Sequence, residues 1–292
     1  MGKLERHIMS LILHSEPFSP DGNLSAEGFE NLLGTPSLDL LAVLVREAVQ
    51  NSCDATRPDA DAAEVRVRVR NLTCEQSSFL RERVFASLPE EKTARDNLAE
   101  ILKEGEEIKV LEIADYGTTG LAGPTRADIP LQDGENPDFI NFFRNIGAAR
   151  DVEGGGGTYG YGKATLYRAS GAHGIVVDTS TTQAGSPVRR VMAAQMGKAV
   201  PGRVTGRHWW GVRAADGRTA DPLTGDGASV FSEMLGMPKR SDGPNGRGTT
   251  VMILAPHLPA DGRKRAPARQ RHARGRGRHA SMPDQRHPPG RL

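Results

Sequence analysis

Three polar side chains recur along one stretch of the sequence at a spacing that suits nucleotide chemistry. Glu47, Asn51 and Asp54 lie four and three residues apart, so on a helix they share one stripe. A carboxamide oxygen can coordinate a magnesium ion, and a neighbouring carboxylate can orient and deprotonate a water molecule. The same spacing is common on the solvated face of an amphipathic helix, which is the simpler interpretation of this motif taken alone.

A second candidate is an acidic residue at the end of a strand pattern. Asp115 is followed by Gly117 and Gly120, so an acceptor carboxylate lies beside backbone that a flat ring can approach closely. An ordinary turn is the alternative interpretation, because Asp and Gly are favoured turn residues.

A third candidate is a glycine-rich stretch, residues 154–163, with the sequence G-G-G-G-T-Y-G-Y-G-K. Its amides could bind phosphate oxygens at a helix N-terminus, with Lys163 adding a positive charge. Its glycines also favour the mobility that a lid needs. A flexible linker is the alternative, but linkers seldom carry two tyrosines and continue directly into a helix.

Hydrophobic periodicity predicts the elements that carry these residues. Apolar residues from 40 to 49 recur at helical spacing, which predicts a helix from Ser37, as its N-cap, to about Ala55. Three valines alternate with charged residues over 64–70, which predicts a half-buried strand.

Other segments complete an α/β pattern. Strand patterns cover residues 108–114, 175–179, 189–195 and 250–255. Helical patterns cover residues 4–12, an inserted hairpin at 77–104, residues 139–148 and a stretch from Lys163 to about Ala169. Because strands and helices interleave without strict alternation, we expect an α/β fold, a two-layer sandwich of a mixed sheet and helices.

The order of these motifs resembles the GHKL superfamily of ATPases, named for gyrase, the ninety-kilodalton heat-shock chaperones, histidine kinases and MutL. A polar-striped helix, a strand ending in D-x-G, a glycine-rich stretch and a G-T-T-V strand at 248–251 follow one another in the family's order. Residues 44–55 are similar to the chaperones' N-box, and residues 157–162 fit their G-x-x-G-x-G lid motif. Lys163 matches a lysine of MORC-type relatives. The resemblance covers roughly residues 35 to 256 and is closest to the chaperones' nucleotide domain and to MORC-type relatives.

The resemblance implies a Bergerat-type ATP-binding fold and slow, magnesium-dependent ATP hydrolysis. Glu47 would be the general base, Asn51 the magnesium ligand and Asp115 the acceptor for the adenine amine. The other residues that it places at the nucleotide are Asp54, Gly117, Gly120, Gly157, Tyr159, Gly160, Gly162, Lys163 and Thr249, the last supporting Asp115 through water. The family usually has D-x-G-x-G, whereas here one extra residue separates Gly117 from Gly120, which predicts a reshaped adenine loop.

Lid closure over ATP is expected to switch a protein partner or a second copy of the chain. His7 lacks the acidic and proline context of a phosphoacceptor histidine, and histidine kinases typically lack a general base at the position of Glu47, so hydrolysis is favoured over phosphotransfer. A non-catalytic, nucleotide-gated interaction module is the alternative, as an N-terminal fragment of a longer protein.

The charge of the chain is divided unequally along its length. The 292 residues carry 38 Lys and Arg against 36 Asp and Glu, but residues 263–292 hold ten of the basic residues and one of the acidic ones. This predicts an N-terminal helix and strap (1–36), an ATP-binding domain (37–258) and a basic tail (259–292). The tail has three interpretations: a nucleic-acid arm, a disordered tail without a partner, or an out-of-frame end.

Composition excludes several other classes. No run approaches the roughly 20 apolar residues of a membrane helix, and no signal peptide is evident, so a cytoplasmic protein without membrane contact is expected. Cys53 and Cys74 are too far apart in sequence for a C-x-x-C pair, so they support neither a disulfide framework nor a zinc site.

Overall fold

The computed structural model describes residues 9–20, 25–26, 39–145, 161–183, 185–241 and 243–258, and for residues 161–163 only the main chain. The described strands are β1 (Ile12–Pro17), β2 (Glu64–Asn71), β3 (Lys109–Tyr116), β4 (Gly174–Gln183), β5 (Ser186–Met196), β6 (Val204–Arg213), β7 (Ala220–Asp221), β8 (Leu223–Thr224) and β9 (Gly248–Leu254). The described helices are α1 (Leu40–Asp54), α2 (Cys74–Phe79), α3 (Lys92–Ile101), α4 (Asp138–Phe143), α5 (Tyr161–Arg168) and α6 (Gly225–Met234). A π-helical turn, Leu80–Val84, continues α2, and a 3-10 turn, Pro244–Gly246, precedes β9. The chain is therefore an α/β protein, as predicted. The predicted basic tail, 259–292, lies outside the described residues.

All nine described strands join one sheet. Seven follow the order β1-β6-β5-β4-β9-β3-β2, while β7 pairs with β6 and β8 with β5. Each pairing between these strands is antiparallel. The prediction of a mixed sheet is therefore wrong for the described strands. The reason is that short connections join β4 to β5, and β9 inserts between β3 and β4 in the opposite direction to both.

Helices cover both faces of the sheet. Alternate residues of β4 show this, because Ile175 and Val177 belong to one buried cluster and Val176 belongs to the other. The first cluster includes side chains from α1, α4 and α5, and the second includes side chains from α2, the π-helical turn, α3 and α6. The two-layer prediction is thus incomplete, since the hairpin predicted at 77–104, together with α6, forms a third layer. None of the described helices is long and apolar enough to cross a lipid bilayer.

Helix boundaries differ from prediction near the N-terminus. Helix α1 begins at Leu40, and its N-cap is Asp39, whose carboxylate accepts a hydrogen bond from the Leu41 amide at 2.8 Å. Ser37, the predicted cap, lies outside the described residues. The helix predicted over residues 4–12 is contradicted where it can be checked, because β1 begins at Ile12 and pairs with β6.

The strand predicted at 64–70 is confirmed as β2, but its valines do not form a buried face. Val67 and Val69 are each 47% exposed, because β2 is the last strand of the sheet. The opposite face carries the tertiary contacts instead. Arg68 and Arg70 donate hydrogen bonds to both carboxylate oxygens of Glu112 on β3, whose side chain is only 1% exposed. An ionic network around this buried carboxylate therefore attaches the edge strand to the sheet.

Replacing Glu112 with alanine should strongly destabilise the fold. The change leaves two guanidinium groups without their buried partner, so we expect the free energy of unfolding to fall by about 3 kcal/mol, measured by urea denaturation. Glu64→Ala is the matched control, because that carboxylate pairs with Arg66 at the surface and should contribute little. Equal effects of the two substitutions would contradict the structural role assigned to Glu112.

Candidate functional site

Asp115 lies where the pairing between β3 and β9 stops. The last pair of that ladder is Ala114 with Thr250, one residue before Asp115. Gly248 then turns β9 with a φ of +142°, and a Cβ at this position would collide with both the main-chain oxygen and Oδ1 of Asp115. Glycine is required here because the two main chains approach so closely.

One oxygen of the Asp115 carboxylate is fixed by the protein. Oδ1 accepts a hydrogen bond from the main-chain N–H of Thr249 at 2.9 Å and a second, very short one from the hydroxyl of Thr118. Within the described part of the chain, no hydrogen bond reaches Oδ2. The carboxylate is therefore held in one orientation and keeps an acceptor oxygen that a ligand donor can use.

Burial of the carboxyl group raises the pKa of Asp115 above its ordinary value. The hydrogen bonds from Thr118 and Thr249 and the positive charge of Arg240 act in the opposite direction. A further donor brought to Oδ2 would also favour the ionised form, so ligand binding and ionisation of Asp115 would reinforce each other.

Two threonine hydroxyls contact each other next to the main chain that holds this carboxylate. Thr249 Oγ1 is 3.0 Å from Thr179 Oγ1 on β4, and Thr179 Oγ1 also accepts a hydrogen bond from the Leu121 amide at 2.9 Å. Thr249 therefore contacts Asp115 directly through its main chain, whereas the sequence resemblance implies support through water. Thr179 was not predicted as a site residue, but it connects β9 to the loop that follows Asp115.

Both glycines of that loop need their small size. Gly117 and Gly120 have φ values of +70° and +65°. A Cβ on Gly117 would collide with the main-chain oxygen of Ala62, and one on Gly120 would lie 2.5 Å from that of Ser180 and 2.9 Å from Thr179 Oγ1. The loop can follow this path, packed against β4 on one side, only with glycine at both positions.

The end of α1 is attached to the same loop. The Thr119 amide donates to the carbonyl of Ala55 at 2.9 Å, and the Arg57 amide donates to the carbonyl of Gly117 at 3.0 Å. Helix α1 also packs against β3 and α5. The structure therefore brings together the polar helix and the strand that ends in D-x-G.

The three polar residues of α1 have different environments. Glu47 is buried, at 6% exposure, and its Oε1 accepts a hydrogen bond from Arg46 Nη2 at 3.0 Å. Asn51, one turn further along, is exposed, and so is Asp54, the last residue of the helix. A carboxylate withdrawn from water thus lies one helical turn from a carboxamide that solvent and ligands can reach.

The glycine-rich stretch can be checked only at its end. Gly157, Tyr159 and Gly160 lie outside the described residues. Gly162 and Lys163 lie in the first turn of α5, where only the main chain is described. Because α5 packs against α1, the helix that follows the glycine-rich stretch lies beside the helix that carries Glu47.

The polar residues of α1 could contribute to a cation site only together with a ligand. Among the side chains that the structure describes, no group of three or more His, Cys, Asp or Glu could hold a metal ion. Magnesium is commonly bound in proteins by one or two side chains together with substrate phosphates and water. The exposed carboxamide of Asn51 is compatible with that mode and could not hold the ion alone.

The contacts of Asp115 include residues that the motifs did not indicate. Arg240 Nη1 donates to the main-chain oxygen of Asp115 at 2.9 Å, and Thr179 acts on Asp115 only indirectly, since its hydroxyl lies 3.0 Å from that of Thr249. Gly248 belongs to the G-T-T-V motif, although that motif does not predict its close approach to Asp115. Thr179 and Arg240 could not be found from spacing, because only the fold brings their segments to this site, whereas Thr118 lies in the loop itself, three residues after Asp115.

Comparison with known proteins assigns no family. No protein-family model matches this chain, and no curated protein matches it. The function must therefore be argued from the contacts of the site itself.

Asp115→Asn should stabilise the ligand-free protein at neutral pH. Because the folded pKa of Asp115 is raised, the stability supplied by its protonated form is complete below the ordinary value of about 3.9 and is lost as pH rises through the raised value. Asparagine keeps an acceptor for Thr249 and carries no charge. We therefore expect a higher Tm than wild type at pH 7, with the difference disappearing in acid.

Asp59→Asn is the control for this measurement. A hydrogen bond from Arg57 holds the pKa of Asp59 below its ordinary value, so its ionised form favours the folded state and its loss should not raise the Tm at pH 7. A lower Tm for Asp115→Asn than for wild type at pH 7 would show that the ionised carboxylate of Asp115 does not destabilise the fold.

Proposed function

We propose that the protein is a GHKL-type ATPase module with a Bergerat-type fold, which binds ATP beside Asp115 and hydrolyses it slowly with magnesium. The observation that carries the proposal is the Asp115 carboxylate, which has one oxygen fixed by Thr249 and Thr118 and the other without a partner among the described residues. The grouping of α1, α4 and α5 on the face of the sheet that carries this carboxylate supports the fold assignment.

Adenine provides the donor that Asp115 Oδ2 lacks. Its exocyclic amine can donate to a carboxylate, and the glycines at 117 and 120 leave room for the main chain to approach a flat ring. Guanine carries a carbonyl oxygen at the equivalent ring position, which would face a carboxylate with another acceptor. The site should therefore discriminate in favour of ATP over GTP.

Glu47 and Asn51 would act at the phosphate end. Asn51 would hold the magnesium ion, with phosphate and water supplying its other ligands, and the bound ion would offset phosphate charge. Glu47 would accept the proton of the attacking water, for which its place one turn away on α1 is suitable. Asp54 and the stretch containing Gly157, Tyr159, Gly160, Gly162 and Lys163 would complete the nucleotide site.

The charge distribution makes local contacts important for binding. Residues 1–262 are net acidic, because ten of the 38 basic residues belong to the last thirty positions. An anionic nucleotide is therefore not attracted by the overall field of this part of the chain and must be held by amides, magnesium and Lys163. Closure of the glycine-rich lid over ATP would switch a protein partner or a second copy of the chain.

One observation favours a non-catalytic alternative. Arg46 occupies Oε1 of Glu47, so one oxygen of the proposed base is already engaged in an ion pair. In this alternative the chain binds ATP and uses it only to gate an interaction. Both functions use the Asp115 site, but only the ATPase would release phosphate from ATP.

Nucleotide binding should depend on Asp115. Asparagine would place an amide donor or a neutral oxygen opposite the adenine amine, so we expect Asp115→Asn to weaken ATP binding at least about tenfold, measured by calorimetry. Asp59→Asn, which alters an exposed carboxylate on a neighbouring loop, is the control and should keep wild-type affinity. Unchanged affinity in Asp115→Asn, or equal binding of GTP, would refute the adenine assignment.

Glu47 should be needed for ATP hydrolysis but not for ATP binding. The wild-type protein should release phosphate from ATP only with magnesium, and Glu47→Ala should abolish release while ATP affinity is retained. Glu64→Ala, a change at an exposed carboxylate on β2, should leave the rate unchanged. Background release by a wild-type protein that binds ATP would favour the interaction module instead.

A further inference from the structure

Arg240 contacts the main chain of Asp115 from the side opposite to its carboxylate contacts. The Arg240 side chain is only 2% exposed. Nη1 donates to the carbonyl of Asp115 at 2.9 Å and to that of Gly246 at 3.3 Å, and Nη2 donates to Thr250 Oγ1 at 2.8 Å. Since the β3–β9 ladder ends at Ala114, the guanidinium supplies the hydrogen bond that a further pair would have given to Asp115.

Two adjacent residues of β9 therefore hold the same aspartate from opposite faces. Side chains alternate along a strand, so Thr249 and Thr250 face different sides of the sheet. The Thr249 hydroxyl meets Thr179, while its amide fixes Asp115 Oδ1. The Thr250 hydroxyl meets Arg240, which fixes the Asp115 carbonyl. The position of the carboxylate thus depends on a guanidinium on the opposite face of the sheet.

Arg240 is not simply one half of a buried ion pair. Its Nε lies 3.9 Å from Asp178 Oδ2, beyond hydrogen-bond distance, and Asp178 is already bound by both ends of the Arg189 guanidinium at 2.8 and 2.7 Å. Two guanidiniums, of Arg240 and Arg66, stack on the Tyr116 ring at 4.8 and 4.7 Å. Most of the hydrogen bonds of Arg240 therefore serve the main chain around Asp115.

The charge of Arg240 also acts on Asp115. Burial lowers the pKa of Arg240, while the nearby Asp178 and Asp115 raise it. The attraction is mutual, because Arg240 opposes the rise that burial imposes on the pKa of Asp115. Among the described residues, Tyr116 and Arg189 also act on the charge of Arg240.

We propose that Arg240 is a positioning residue for the nucleotide, which fixes the main chain of Asp115 and supplies a positive charge near its carboxylate. This inference rests on the proposed function, in which Asp115 binds adenine. Removal of the guanidinium should therefore change both the titration of Asp115 and the affinity for ATP.

The first measurement needs no nucleotide. In protein labelled with ¹³C at the aspartate carboxyl carbons, Asp115→Asn assigns the resonance of Asp115. Arg240→Gln should move its titration midpoint to higher pH by about one unit, because an opposite charge is removed. Arg81→Gln is the matched control, since the Arg81 guanidinium also donates to two main-chain carbonyls, those of Leu102 and Lys103, and has no contact with Asp115 among the described residues, so the midpoint should stay unchanged.

The second measurement is ATP affinity as a function of pH. Arg240→Gln should weaken ATP binding at pH 7 about tenfold and move the acid limb of the affinity profile to higher pH, whereas Arg81→Gln should do neither. Arg240→Lys keeps the positive charge, but an ammonium group cannot reproduce the guanidinium's hydrogen bonds to the carbonyls of Asp115 and Gly246 and to the Thr250 hydroxyl. This variant should therefore keep the titration midpoint of Asp115 and still bind ATP more weakly.

Each outcome decides the proposal. An unchanged Asp115 midpoint in Arg240→Gln, wild-type affinity in Arg240→Lys, or equal effects of Arg81→Gln would overturn it. If circular dichroism shows that Arg240→Gln does not fold, the midpoint and affinity of Arg240→Lys decide instead. If the wild-type protein does not bind ATP, the proposed function fails, and the carboxyl titration still tests the action of Arg240 on Asp115.

Discussion

The proposed site depends on a partly buried carboxylate, only one of whose oxygens is bound by the described residues. A buried charge is unfavourable unless hydrogen bonds compensate it. For Asp115 this compensation is confined to Oδ1, through Thr249 and Thr118, and no described residue supplies it at Oδ2. Such incomplete compensation is expected where a ligand provides the missing donor, because binding sites often retain features that do not stabilise the fold.

The sheet topology makes this arrangement possible. Strand β9 comes last in sequence among the described strands but lies between β3 and β4, so Thr249 reaches an aspartate 134 positions earlier in the chain. The same insertion places Thr249 opposite Thr179 on β4. Gly248 then ends the ladder early, and this early end leaves the Asp115 carbonyl to be bound by a side chain.

Local patterns predicted much of the fold, and tertiary contacts explain what they missed. Helix α1 and strands β3, β4, β5 and β9 have clear periodicity, and Asp115 with its glycines forms a contiguous motif. Strand β6 was missed because its buried residues include Arg207 and His208, which interrupt any apolar alternation. Thr179 and Arg240 carry no local signal, because their roles arise from contacts with segments distant in sequence.

The third layer of the fold links stability to the site. Arg70 and Arg68, which hold the buried Glu112, also donate to the carbonyls of Leu235 and Gly236 at 2.7 and 3.0 Å. These carbonyls begin the segment that leads from α6 to Arg240. The network that attaches the edge strand therefore also anchors the segment whose guanidinium binds the Asp115 main chain. Because helices cover this face, the guanidinium stays dry, and its hydrogen bonds and charge act on Asp115 with little screening by solvent.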